Sequence, residues 1–194
     1  MLAETDSLGF NDQIQQAIEI IESESIDLEA DQLQELRDDL IRAKKCLDEL
    51  DISGALVGEV KDLLKIRTKS INSIFSLAVK KFEKEESEAS MCLFLFLSKL
   101  DSEDPEYLYR AGIAAQICGK LELALKIYAE TLNISSDLIG PKIFSIECQF
   151  DLGFKESALK MHEDLKQELI NLTIEEKWIP ILEDIENSLT LPAS

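Results

Sequence analysis

Only one histidine and one tryptophan occur in 194 residues, with four prolines and seven glycines, and each scarcity excludes something. There is no glycine-rich phosphate loop, no nucleophile elbow and no spacing of His and Cys that would hold a metal. No cofactor or metal is therefore expected, and no enzyme. Little glycine and proline beside 45% apolar residues describes a chain that folds rather than one that stays disordered. No segment alternates polar and apolar residues over more than a few positions, so strands are not expected and the chain reads as all-α. Basic residues are few: 20 Lys and Arg face 39 Asp and Glu, a formal charge of −19. A field of that sign repels phosphates, which argues against nucleic acid and anionic membrane surfaces. The longest apolar run, Met91 to Leu97, is far too short to span a bilayer. Glu4 and Asp6 sit where a signal peptide would need basic and apolar residues. Cys46, Cys92, Cys118 and Cys148 are isolated within apolar helical patterns, with no CxxC. They read as buried thiols of a reducing compartment, hence a cytoplasmic protein.

What is present is helical periodicity. Residues 1–10 form a loose tail. Ile14, Ile18 and Ile21 then repeat at helical spacing, and Leu28, Leu33, Leu36, Leu40, Ala43 and Leu47 form a second stripe. Ser53-Gly54 breaks it before a shorter third helix at Val57, Val60, Leu63 and Leu64. Together 11–69 form an N-terminal helical region, either a cap or an arm for dimerisation. Asp38-Asp39 and Glu85-Glu86 read as solvated helix surface.

From Ile71 onward a spacing of 34 residues takes over. Gly119 and Gly153 differ by it, as do Ala124 and Ala158, Phe94 and Tyr128, and Ser90 and Ala124. This is the period of the tetratricopeptide repeat, a helix–turn–helix unit that buries its apolar face by stacking on neighbours. The glycines mark where each first helix stops, although Glu85 stands at that place in the first repeat. Asp104-Pro105 supplies an N-cap and a first-turn proline, and Gly140-Pro141 opens the third repeat. Three helix pairs span 70–172. A C-terminal capping helix and tail over 173–194 follow, with Thr173 and Glu176 as the capping box, Pro180 kinking or splitting the helix and Trp178 covering the last repeat. The expected fold has about ten helices in antiparallel pairs, with a right-handed superhelical twist.

In such a stack the first helix of each repeat lines the concave face through residues three and four apart. These are Phe75, Val79 and Phe82, then Glu106, Tyr109, Ile113 and Gln116, then Ile143, Glu147 and Phe150. The set is apolar and aromatic, suited to an apolar peptide. Repeats that capture the carboxylate terminus of heat-shock proteins need Lys and Asn at positions where Phe75 and Val79 stand, so that use is excluded.

Leu77-Ala78, Phe94, Leu100-Asp101, Gly112, Gln116, Gly119, Leu123-Ala124, Tyr128, Glu147-Cys148, Gly153 and Ala158 together resemble the class II, tetratricopeptide chaperones of type III secretion translocators. The resemblance covers Ile71 to Ile170. It implies a cytoplasmic bacterial chaperone that holds an extended segment of a hydrophobic pore-forming translocator in its groove before export. The positions matching the family's apolar anchor pockets are Phe75, Val79, Phe82 and Leu100. Val79 replaces what is often an aromatic, which implies a wider pocket. Family members often dimerise through the N-terminal end, so a homodimer through those helices is left open. The alternative is a constitutive scaffold that assembles soluble partners through the same groove. An enzyme is the remote third reading, and His162, in register with Phe94 and Tyr128, reads as a structural imidazole.

Overall fold

A computed structural model describes residues 10–24, 28–49, 62, 64–170 and 178–190. These form nine helices, with no strand among the described residues. Two N-terminal helices, α1 (Phe10–Glu24) and α2 (Ala30–Glu49), precede three pairs. The pairs are α3 (Thr68–Glu83) with α4 (Ser87–Leu100), α5 (Pro105–Ile117) with α6 (Leu121–Ile134), and α7 (Ile139–Asp151) with α8 (Lys155–Leu169). Helix α9 (Ile179–Thr190) closes the series. Each helix of the pairs packs on the next in chain order, and α5 also touches α7, which is the connectivity of a tetratricopeptide solenoid. Ser53-Gly54, the expected third-helix positions Val57, Val60 and Leu63, and the Thr173 and Glu176 capping box lie outside the described residues. So does the 1–10 tail, save Phe10, which already belongs to α1. Leu64, expected in that third helix, is buried.

The turn inside each pair is built the same way three times. Glu85, Gly119 and Gly153 adopt φ of 62°, 72° and 83°. The following residue's N–H closes the helix by donating to the carbonyl five residues back: Glu86 to Lys81, Lys120 to Ala115, Phe154 to Gln149, each at 2.9 Å. Glycine enters that left-handed region freely, whereas the Cβ of Glu85 meets its own backbone there. A methyl group on Gly119 would touch nothing within 4 Å, so only backbone strain opposes it. Glu85→Gly is therefore expected to stabilise the protein by about 0.5–1 kcal/mol, and Gly119→Ala to cost about 1 kcal/mol, in urea denaturation. A loss of stability in Glu85→Gly would contradict this.

Close approach of the helices governs the rest of the core. A side chain at Gly112 would overlap the Tyr128 ring, so glycine there lets α5 lie against α6. Ser90, in the register of Ala124, satisfies its buried hydroxyl by donating to the Ala78 carbonyl at 3.0 Å. Phe94 is 1% exposed and Tyr128 0%, as their repeat phase requires. One continuous core runs from α1 to α6 and takes in Cys148 of α7, a second joins α7, α8 and α9, and Phe144 packs against both.

The N-terminal helices cover the first repeat: α1 lies on α4 and α2 on α3. Ile14, Ala17, Ile18 and Ile21 are buried, as are Leu36, Leu40 and Ala43. The reading of Asp38-Asp39 as solvated surface is corrected here. Asp38 is exposed, but Asp39 is 0% exposed. Its carboxylate accepts the backbone N–H of Arg67 at 2.9 Å, the Arg67 Nε at 3.0 Å and the Ser70 hydroxyl at 2.6 Å, and it pairs with Arg42. Arg67 is the N-cap residue of α3 and has no side-chain cap of its own. A carboxylate from α2 thus caps α3, where the exposed N–H groups favour negative charge.

The described part of the last helix begins beside Pro180. This proline is the second residue of α9, in the first turn, where its missing N–H has no intrahelical acceptor to lose. Trp178, 9% exposed, does cover the third repeat, its ring 6.2 Å from Phe144. All four cysteines are free thiols, but only Cys148 is buried and the others are half-buried. Desolvation pushes the thiols of Cys92 and Cys148 up to about 11 and about 12, which keeps them protonated and unreactive.

Candidate functional site

The first helices of the pairs, α3, α5 and α7, present one face together. Phe75, Val79 and Phe82 on α3 are half-buried, as are Glu106, Tyr109, Ile113 and Gln116 on α5 and Glu147 and Phe150 on α7. Each is partly covered by its neighbours and partly open, the state of a side chain that can still gain contacts.

Two of the sequence-derived groove residues are not on that face. Leu100 is 1% exposed, at the end of a helix apolar all round and enclosed in the first core. Ile143 is 0% exposed, packed in the second core with Ala158 and Trp178. Neither offers surface to a ligand, so neither lines the groove in this structure. Phe144, the next residue, is the half-buried one. Its ring stacks on Tyr109 at 6.1 Å and lies 6.2 Å from Tyr128. The repeat register pointed to Ile143. The packing of α7 against α8 and α9 turned that residue inward and left Phe144 beside the tyrosines.

Phe75 sits in a more complex setting than a lone anchor. Its ring meets Phe94 edge-on at 5.9 Å and Tyr107 at 6.0 Å. The guanidinium of Arg110 lies over the Phe75 ring at 5.4 Å and the Phe94 ring at 5.9 Å, held from the other side by Glu106 at 2.7 Å. Tyr107, Arg110 and Phe144 escape a reading based on repeat phase because they lie one residue to the side of the phased positions. Only the aromatic identity of Tyr107 and Phe144 could have pointed to them.

The centre of the face is polar. The Tyr128 hydroxyl donates to Gln116 Oε1 at 2.9 Å, and Gln116 Nε2 donates to Glu147 Oε2 at 3.0 Å. This chain ties the second and third repeats together and satisfies Gln116 on both sides. Desolvation, helped by Asp151, raises the Glu147 carboxyl above the usual carboxylate range, against the pull of the Gln116 hydrogen bond. Desolvation pushes Tyr109 up to about 12. Burial raises the hydroxyl of the enclosed Tyr128 as well, so both tyrosines stay neutral hydrogen-bonding groups at physiological pH.

His162 lies away from this face, 5% exposed between α8 and α9. Desolvation, then Lys166, lowers its pKa below the usual imidazole range and keeps it neutral at pH 7. Among the described residues no group of three His, Cys, Asp or Glu is arranged to hold a metal ion. No described helix is long and apolar enough to cross a membrane. The face thus combines aliphatic and aromatic surface with the hydrogen-bonded carboxylate of Glu147.

No family model matches the sequence, and no curated protein matches it. Solved structures do. The type III secretion translocator chaperone SycD of Yersinia enterocolitica is 18% identical with a TM-score of 0.57, covering 68% of this chain and 96% of that one. SycD in complex with a peptide of the translocator YopD is 21% identical with a TM-score of 0.57, covering 64% and 93%. A chain of the CopN-Scc3 complex is 14% identical with a TM-score of 0.59, covering 90% and 97%, more than the three repeats alone can account for. The fold is thus the tetratricopeptide fold of the type III secretion translocator chaperones, three helix pairs with N-terminal helices and a C-terminal cap.

Proposed function

We propose that this protein is a cytoplasmic type III secretion chaperone. It binds an extended apolar segment of a hydrophobic translocator on the shared face of α3, α5 and α7, and so keeps that partner soluble before export. The observation that carries the reading is the strip of half-buried apolar and aromatic side chains, Phe75, Val79, Phe82, Tyr109, Ile113 and Phe150, along the inner helices. A monomeric solenoid has no folding reason to leave such a strip open, and a peptide laid along it would complete its burial. The likeness to SycD, solved in complex with a translocator peptide, supports a peptide-binding use of this fold. A homodimer through the N-terminal helices would have to use their outer surface, where Ile41 is 64% exposed, because the inner stripes are occupied by α3 and α4.

Co-expression tests the proposal. A secreted protein with long apolar segments, encoded beside this one, should remain in the soluble fraction and co-purify with this chain, and should precipitate without it. If that neighbour is equally soluble alone, the chaperone reading fails. A scaffold would instead recover partners that are soluble in its absence.

A further inference from the structure

Between α7 and α9, at the C-terminal end of the groove face, the structure holds a cleft of about 290 Å³. Ile146, Phe150 and Ile185 give it an apolar floor, and Glu147, Asp151 and Asp184 stand around it. That volume lies at the small end for a ligand site and suits one long side chain. No Lys or Arg among the described residues pairs with these three carboxylates. The lysines of this end are engaged elsewhere, Lys142 with Glu168 at 2.5 Å and Lys166 with Glu186 at 2.7 Å. Glu147 is shared between the cleft and the Gln116 hydrogen bond, so whatever fills the cleft continues the groove.

We infer that this cleft is a subsite for a lysine or arginine of the bound segment, its aliphatic stem on Ile146, Phe150 and Ile185 and its charged head among Glu147, Asp151 and Asp184. The inference rests on the proposed peptide-binding reading and adds a chemical requirement: the captured segment carries a basic residue flanking its apolar anchors. Long basic side chains combine these two surfaces, burying their methylenes while the head meets charge. A purely aliphatic side chain would further desolvate Glu147 without compensating it. An acidic one would meet three like charges. Desolvation already disfavours the charged form of Glu147, and a cation in the cleft reverses that penalty.

Selection from a random peptide display library on the full chain, beside its Glu147→Gln/Asp151→Asn/Asp184→Asn variant, tests this. The wild type should enrich apolar peptides that carry Lys or Arg at a fixed offset, and the variant should enrich the apolar pattern alone. A selected peptide made synthetically should bind the wild type about tenfold more tightly than its norleucine counterpart, and the variant equally with both. Asp184→Asn alone, at an exposed position, provides the same comparison if the triple variant does not fold. Apolar peptides with no basic preference, or a preference unchanged in the variants, overturn the subsite and leave the groove standing. If no apolar pattern is enriched at all, the groove reading itself falls and the subsite with it.

Discussion

Replacing Asp39 with Ala should cost about 3 kcal/mol and free the N-terminal helices from the repeats. The side chain is fully buried and meets two arginines, a serine hydroxyl and the N–H of Arg67, the N-cap residue of α3. Hydrogen bonds to charged groups contribute about 1.5–3 kcal/mol each, and breaking a buried pair costs about 3–5 kcal/mol. The effect belongs at the lower end of that range, because Arg67 and Arg42 are 45% and 44% exposed and water can take over their hydration. In a solenoid each unit is stabilised by its neighbours, so the loss should be local. Hydrogen exchange should show α1 and α2 deprotected while α5 to α8 keep their protection. Asp38→Ala, one residue away and exposed, should change little. Equal stability of the two variants, or deprotection spread evenly along the chain, would refute the assignment of Asp39 as the joint between cap and repeats.

Binding should fall by about 3 kcal/mol when Phe75 and Phe82 are both replaced by Ala, measured by calorimetry with a translocator segment that co-purifies. Raising salt should not release that segment from the wild type, because most of the contact is apolar. The control is Phe94→Ala, which should cost about 3–5 kcal/mol of stability, since that ring lies wholly within the first core. The sequence alone suggests that the groove phenylalanines contribute little to folding. The structure changes this for Phe75, which is braced by Phe94, Tyr107 and Arg110 and should carry a stability cost of its own. Phe82 has no such ring contact and is the cleaner probe. Binding retained by the double variant while the fold collapses would mean that these rings are core and not groove.

How far the residues could be read in advance follows from whether the signal was local. The Asp104-Pro105 start is visible in sequence because capping involves adjacent residues, and the Asp104 side chain indeed accepts the Glu106 N–H at 2.9 Å. The 34-residue step was equally plain, because every repeat meets the same kind of neighbour and must present the same small and large residues to it. Glu85 shows where residue identity misleads. It breaks the glycine pattern yet adopts the glycine conformation, since the packing of the two helices it joins sets the turn. On α3 and α5 the phased positions Phe75, Val79, Phe82, Tyr109, Ile113 and Gln116 are half-buried, as a 3.6-residue period requires. Phase misplaced Ile143, because a rotation of one residue on a helix changes its facing by about 100° and neighbouring helices set that rotation. Leu100, which came from the family resemblance alone, ends a second helix and is enclosed in the core. The α7–α9 cleft had no sequence signal, its carboxylates being indistinguishable by pattern from the other acidic residues.

By itself, then, the sequence determined an all-α chain, its three-repeat register, its acidic character and an apolar inner strip, all carried by short-range periodicity and composition. Only the tertiary structure decided which carboxylate is buried as a joint and which remain open around a cleft, and that Phe144 rather than Ile143 lies half-buried beside Tyr109. Burial of a given side chain depends on helices far away in the chain, and no local spacing encodes them.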